Sequence, residues 1–245
     1  MEKGSGIILM KRCETVEGEI FIRPVARIRS DFSEKFGIPR QSGIVETLKA
    51  RIVFEPEFRN PDALRGMEGF SHLWLIWEFS AARRDGWSAT VRPPRLGGNT
   101  RMGVFATRSP FRPNPLGLSC VKLESIDFKC ADAPVITVSG ADLMDGTPIY
   151  DIKPYLPYCD CKAGAVGGFA SEGAGHRLEL SFPYKLMQLV PADKREALTG
   201  VLEADPRPSY QHDPDRVYGM SFGGLNVKFK VSENTLTVID VSAEN

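Results

Sequence analysis

Residues 72–79 read HLWLIWEF, a run almost continuous in apolar character. Such a run, preceded by Gly69 and followed by a polar stretch, is expected of a strand buried on both faces. Working outward, EIFIRPVARIRS (19–30) and GIVETLKARIVF (43–54) carry the β-branched and aromatic residues of strands. LSCVKLESIDF (118–128) and PVITVSGADL (134–143) add two more. The connections are rich in Gly and Pro and lack long helical periodicity. Several short strands with turn signals predict a mainly β protein, a barrel or a sandwich.

Two helices are expected. NPDALRGMEGF (60–70) begins with an Asn cap and Pro at the first helical position. PADKREALTGVLEAD (191–205) places Ala197, Leu198, Val201 and Leu202 at helical spacing. Between the two halves, CKAGAVGGFASEGAG (161–175) reads as a flexible connection. The expected division is an N-terminal extension (1–17), a main β domain (18–160), this linker (161–175) and a small α+β C-terminal domain (176–245) with strands RLELSF, RVYGMSF, NVKFKV and TLTVIDV.

Composition narrows the function classes. The 245 residues carry 31 basic and 31 acidic side chains, so affinity for nucleic acid must come from a local patch. No stretch approaches the roughly 18 apolar residues of a membrane span, and the expected location is cytoplasmic. The five cysteines form no CxxC pair and the three histidines no HxxxH pair, so free thiols and no metal are expected. There is no GxxxxGK[ST] loop and no GxSxG, and GSGIIL (4–9) lacks both the third glycine and a preceding strand. P-loop, Rossmann and Ser/His/Asp hydrolase chemistry are therefore disfavoured.

The charge is unevenly placed. From Arg83 to Arg112 there are seven arginines, no lysine and one acid, Asp85, an excess of six positive charges. Arginine is favoured over lysine where a planar fork must hold phosphate or carboxylate oxygens. The same stretch holds Pro93, Pro94, Gly97, Gly98, Pro110, Pro113 and Pro115. Proline fixes φ and glycine permits close backbone approach, so these cations lie on a shaped surface. Two further segments draw notice. KFGIPRQSG (35–43) offers a guanidinium and an amide before a strand, and ADLMDGTPIYDIKPYLPY (141–158) carries Asp142, Asp145 and Asp151 around a tight turn.

Taken with GFSHLWLIWEF (69–79) and VRPPRLGGNTRMGVFATRSPFRPNPLGLS (91–119), these segments closely resemble the TsaA-like, or TrmO, family of S-adenosylmethionine-dependent tRNA methyltransferases. The resemblance runs from about Ile20 to Tyr158 and resumes at DPRPSY (205–210) and VYGMSFGGLNVKFKV. It implies a compact β-barrel main domain with a small C-terminal α+β domain, a homodimer, the cofactor S-adenosyl-L-methionine, and methylation of N6 of N6-threonylcarbamoyladenosine at position 37, in the tRNA anticodon loop. Matched motifs put cofactor contacts on Pro39, Arg40, Gln41, Arg108, Leu118, Ser139, Gly140, Ala141 and Asp142. Ser80 and Ala81 are included too, although the family often has a His where this chain has Ser80.

No residue stands out as a catalytic base; Asp142 and Asp145 are weak candidates. Arg92, Arg95, Arg101 and Arg112 are candidates for tRNA phosphates or the threonyl carboxylate, with Phe105, Phe111 or Tyr155 available for base stacking. A non-catalytic RNA-binding module, or a methyltransferase of the same fold with another substrate, is the alternative.

Overall fold

The structure, a computed structural model, describes residues 20–84, 86–171, 175–208, 211 and 213–244, and only the backbone of Arg95. The N-terminal extension with its GSGIIL motif, Asp85, part of the 161–175 connection, His212 and the last two residues of DPRPSY lie outside the described residues.

Among the described residues, the first two-thirds of the chain contain eight strands: β1 (Ala26–Arg29), β2 (Lys49–Phe54), β3 (His72–Glu78), β4 (Thr90–Val91), β5 (Met102–Gly103), β6 (Leu116–Asp127), β7 (Val135–Ser139) and β8 (Pro148–Pro154). Six of them close into a barrel in the order β1-β2-β7-β6-β3-β8, while β4 and β5 pair separately as a short ribbon. Every pairing in the barrel is antiparallel. Closure leaves no unpaired strand edge.

Alternation sorts the side chains. In β2, Ala50, Ile52 and Phe54 turn inward and Lys49 and Arg51 outward. In β3, Leu73, Leu75 and Trp77 are buried, while His72, Trp74 and Ile76 are only partly covered. The expectation of a strand buried on both faces is thus corrected: a barrel has one interior, and the outer face of β3 is covered in part by the chain after β8. Trp74 donates its Nε1–H to Asp160 at 2.9 Å and its ring lies 5.7 Å from that of Tyr155. Burial of each large core side chain, such as Leu73 or Ile52 at 0% exposure, contributes about 1.5–3 kcal/mol.

The expected helix over 60–70 is replaced by two 3-10 turns, Pro61–Leu64 and Met67–Gly69. Asn60 caps the first as its sequence suggests, accepting from the Asp62 N–H at 3.0 Å. Gly66, at φ 85°, breaks the segment before a full turn of α-helix can form. The strands expected over 19–30 and 43–54 shrink to β1 and β2, because their first halves are irregular chain.

After the helical turn α1 (Pro157–Asp160), the chain builds β9 (Glu179–Ser181), the turn α2 (Tyr184–Met187), the helix α3 (Arg195–Glu203) and the strands β10 (Tyr218–Phe222), β11 (Leu225–Ser232) and β12 (Thr235–Ala243). These strands form one sheet in the order β10-β11-β12-β9, with β9 parallel to β12. Ala197, Leu198, Val201 and Leu202 of α3 are buried, as their spacing predicts. Of the 161–175 connection, residues 168–171 form a 3-10 turn.

Two apolar cores result. One fills the barrel. The other lies between α3 and the C-terminal sheet, and it takes Phe32, Val45 and Leu48 from the connection between β1 and β2. That connection is also bound by hydrogen bonds: Gly223 N–H donates to the Asp31 carbonyl at 2.7 Å and Arg177 to the Ile44 carbonyl at 3.0 Å. Lys194 pairs with the Asp31 carboxylate.

Candidate functional site

The β1–β2 connection, the end of β3, the 107–118 segment and the turn after β7 converge on a cavity of about 650 Å³. Pro39, Arg40, Gln41, Ser80, Ala81, Arg108, Leu118 and Asp142 all line it. These residues come from five separate stretches of sequence, and the fold brings them to one place. Ser139, Gly140 and Ala141 do not line it. The Ser139 hydroxyl donates to Glu124 at 2.7 Å, the Gly140 carbonyl accepts from Gly43 N–H at 2.9 Å, and Ala141 is buried in the barrel core. Asp145 also lies elsewhere, capping its turn by accepting from the Ser30 N–H at 3.1 Å and facing Arg29 at 3.4 Å.

One wall is set by a close approach. Gly117 of β6 lies against the Trp77 ring, and a Cβ at this position would come within 2.3 Å of it. The ring can therefore lie flat on the strand and aim its Nε1–H at the Ser119 hydroxyl, 2.9 Å away. Ser119, fully buried, in turn donates to Asp142 Oδ1 at 2.6 Å. The carboxyl of Asp142 is pushed above its ordinary value by burial; the Ser119 hydroxyl, the backbone at Asp142 and Ser42, and the nearby charge of Arg108 pull the other way.

Glu78, at the end of β3, is a wall residue to which no sequence motif draws attention. It is 4% exposed, accepts from the Tyr150 hydroxyl at 2.5 Å and pairs with Arg83. The Arg83 hydrogen bond holds its carboxyl below the ordinary value despite burial. A buried acid at the last position of an apolar strand was the available signal.

The arginine-rich segment is stitched into a fixed shape. Thr107 donates through N–H and hydroxyl to the Val104 carbonyl at 3.1 and 2.9 Å. The Arg112 guanidinium donates to the Thr107 carbonyl at 3.1 Å and lies 6.0 Å from the Phe105 ring, so it braces the loop and forms part of the cavity wall. Arg108 pairs with Gln41 across the cavity mouth, and Lys35 donates to the Ala81 carbonyl at 2.5 Å.

Thr107, Arg108 and Pro110 are shared with a neighbouring cleft of about 1620 Å³. Arg92 and Arg101 line that cleft. The side chain of Arg95 lies outside those described. Among the described residues of the cleft wall there are six arginines, one lysine and no carboxylate. No group of three or more His, Cys, Asp or Glu is placed to hold a metal ion among the described residues. Cys120, Cys130, Cys159 and Cys161 are free thiols.

The family model described as tRNA-methyltransferase O N-terminal domain matches residues 27–161, and that of the TrmO C-terminal domain matches 177–244. The chain belongs to the TrmO family. It is 40% identical over 214 residues to a tRNA (adenine(37)-N6)-methyltransferase of Escherichia coli, covering 84% of this chain and 91% of that protein. It is 39% identical over 229 residues to a putative S-adenosylmethionine-dependent methyltransferase of Pseudomonas aeruginosa, covering 90% and 97%. Among solved structures, the crystal structure of a TrmO from Pseudomonas aeruginosa superposes with a TM-score of 0.74 at 32% identity, covering 93% of this chain and all of the other. The mainly β architecture, a closed barrel with a small α+β unit, is that of TrmO structures.

Proposed function

We propose that this protein is an S-adenosylmethionine-dependent tRNA methyltransferase that modifies N6 of N6-threonylcarbamoyladenosine at position 37, beside the anticodon. The observation that carries this reading is the cavity in which Pro39, Arg40, Gln41, Arg108, Leu118 and Asp142 meet. Its volume of about 650 Å³ suits a small-molecule ligand. Its lining fits S-adenosylmethionine: Arg40 and Arg108 suit a carboxylate, Asp142 suits an ammonium or sulfonium, and Leu116 and Leu118 suit an apolar ring face.

When bound, that cofactor supplies a methyl group already activated on sulfonium, so the chain's task is alignment and exclusion of water. Ser119 and Trp77 fix the position of the Asp142 carboxylate. Because N6 belongs to a urea-like unit, a strong base is not required. The cationic cleft beside the cavity supports a polyanionic substrate. A cytoplasmic homodimer is part of the same reading.

The test is transfer of labelled methyl from S-adenosylmethionine to tRNA carrying threonylcarbamoyladenosine. Label is expected on that base. Folded protein that binds the cofactor but leaves the base unlabelled would defeat the substrate assignment.

A further inference from the structure

We propose that Trp87 and Phe105 form a platform on which unstacked bases of the tRNA loop stack beside the reacting adenosine. The inference rests on the tRNA reading above and specifies how the loop is held.

The two rings are stacked, centroids 6.2 Å apart and planes 30° from parallel. Both are in the wall of the cationic cleft, and both are largely exposed, Trp87 at 54% and Phe105 at 72%. Aromatic faces of this size are not left in water by packing demands, since Val104 next to Phe105 is buried at 1% and already anchors the turn. The platform is rigid. Val104 N–H donates to the Ala89 carbonyl at 3.0 Å, Ser88 N–H to the Phe111 carbonyl at 3.4 Å, and the β4–β5 ribbon pairs Thr90 with Gly103. Presenting two fixed rings costs little conformational entropy when a base stacks on them.

The surroundings select the partner. Arg92 and Arg101 are exposed in the same cleft and make no hydrogen bond or ion pair among the described residues. With no carboxylate in the described wall, the site complements phosphates alternating with planar apolar faces, the pattern of a single-stranded nucleic acid. Phe111 and Tyr155, the other two rings the sequence offered for stacking, are engaged elsewhere. Arg84 covers the Phe111 ring at 3.9 Å, and Tyr155 packs on Trp74 and His72 away from the cleft. Continuity through Thr107 and Arg108 places the platform next to the cavity, where a base flanking the target would lie.

The experiment measures binding of an anticodon stem–loop RNA to the full chain, with calorimetry of S-adenosylmethionine as the control for folding. Trp87→Ala and Phe105→Ala should each raise the RNA Kd by about 5- to 150-fold, the range for removing one stacking partner. Trp87→Phe should hold it within about threefold, because the π face is kept. The slope of affinity against salt should stay at the wild-type value in all three, since no phosphate contact is lost. Alanine variants that bind RNA as the wild type does would overturn the platform while leaving methyl transfer to threonylcarbamoyladenosine intact. Loss of self-association without loss of RNA affinity would overturn it in favour of a protein interface. Wild-type protein that transfers no methyl to tRNA would instead defeat the reading on which the platform rests, whatever the RNA affinities.

Discussion

Ser119→Ala removes one oxygen atom and two hydrogen bonds. The Trp77 Nε1–H loses its acceptor at 2.9 Å, and the Asp142 carboxylate loses its donor at 2.6 Å. Ser119 is fully buried, and Trp77 is 8% exposed. Each buried polar group left without its partner costs about 1–3 kcal/mol, so the expected loss of stability for the two is about 2–6 kcal/mol. For a chain of this size that corresponds to a fall in Tm of about 4–24 °C.

The variant also makes a signed prediction about pH. The Ser119 hydrogen bond lowers the pKa of Asp142, which burial raises above 3.8, so its removal lets that pKa climb further. A carboxyl whose folded pKa is above its unfolded value contributes stability below the unfolded pKa and loses it as pH rises through the folded one. The destabilisation by Ser119→Ala should therefore grow as pH rises through the titration of Asp142. If ionised Asp142 holds the cofactor, the acid limb of S-adenosylmethionine affinity should move to higher pH in the variant. Denaturant unfolding at several pH values and calorimetric titration measure both. An unfolding midpoint equal to the wild type, or an acid limb displaced to lower pH, would refute the proposed Trp77–Ser119–Asp142 chain.

Three other outcomes are expected. Gly117→Ala should destabilise by about 1–3 kcal/mol and weaken cofactor binding, because its Cβ meets the Trp77 ring at 2.3 Å; denaturant titration and calorimetry check it. Tyr150→Phe should cost about 1–2 kcal/mol at neutral pH by removing the 2.5 Å bond to Glu78. Glu78 has a lowered folded pKa, so its stabilisation is present above 4.5 and lost as pH falls through the folded value; the difference between variant and wild type should shrink in acid unfolding curves. Arg108→Ala should weaken S-adenosylmethionine binding, whereas Arg101→Ala should chiefly weaken tRNA binding and reduce its salt slope by about 1, read from affinities at several salt concentrations.

The strands and α3 were legible in the sequence through residues whose surroundings are local or alternating, while closure into a barrel was implied by the motif resemblance alone. Ala50, Ile52 and Phe54 reveal an inward face by period two, and the buried positions of α3 reveal theirs by helical spacing. The end points were less legible. Whether residues 60–70 form one helix or two turns is decided at Gly66, and the lengths of β1 and β2 are decided by barrel pairing. For the cavity, motif resemblance pointed to Arg108, Gln41 and Asp142, and the fold gathers them. It also pointed to Ser139, Gly140 and Ala141, whose side chains or backbone are engaged elsewhere. Only Ser139 belongs to β7; the chain bends at Gly140, whose φ is 75° and whose carbonyl is held by Gly43, and Ala141 turns into the barrel core. Glu78 stood out in the sequence only as an acid ending an apolar strand, because its role depends on Tyr150, 72 residues away in the chain.

The connection between β1 and β2 carries Pro39–Gln41 in the cavity wall and also sends Phe32, Val45 and Leu48 into the core beneath the C-terminal sheet. A gene interrupted after residue 160 would therefore encode more than a barrel without an appendage. Its product would hold three greasy side chains in water, and the peptide between them would lose the anchors at Gly223 and Arg177 that set its path. The two halves of this chain are in that sense a single tool: the rear half is the vice that grips one jaw of the front half.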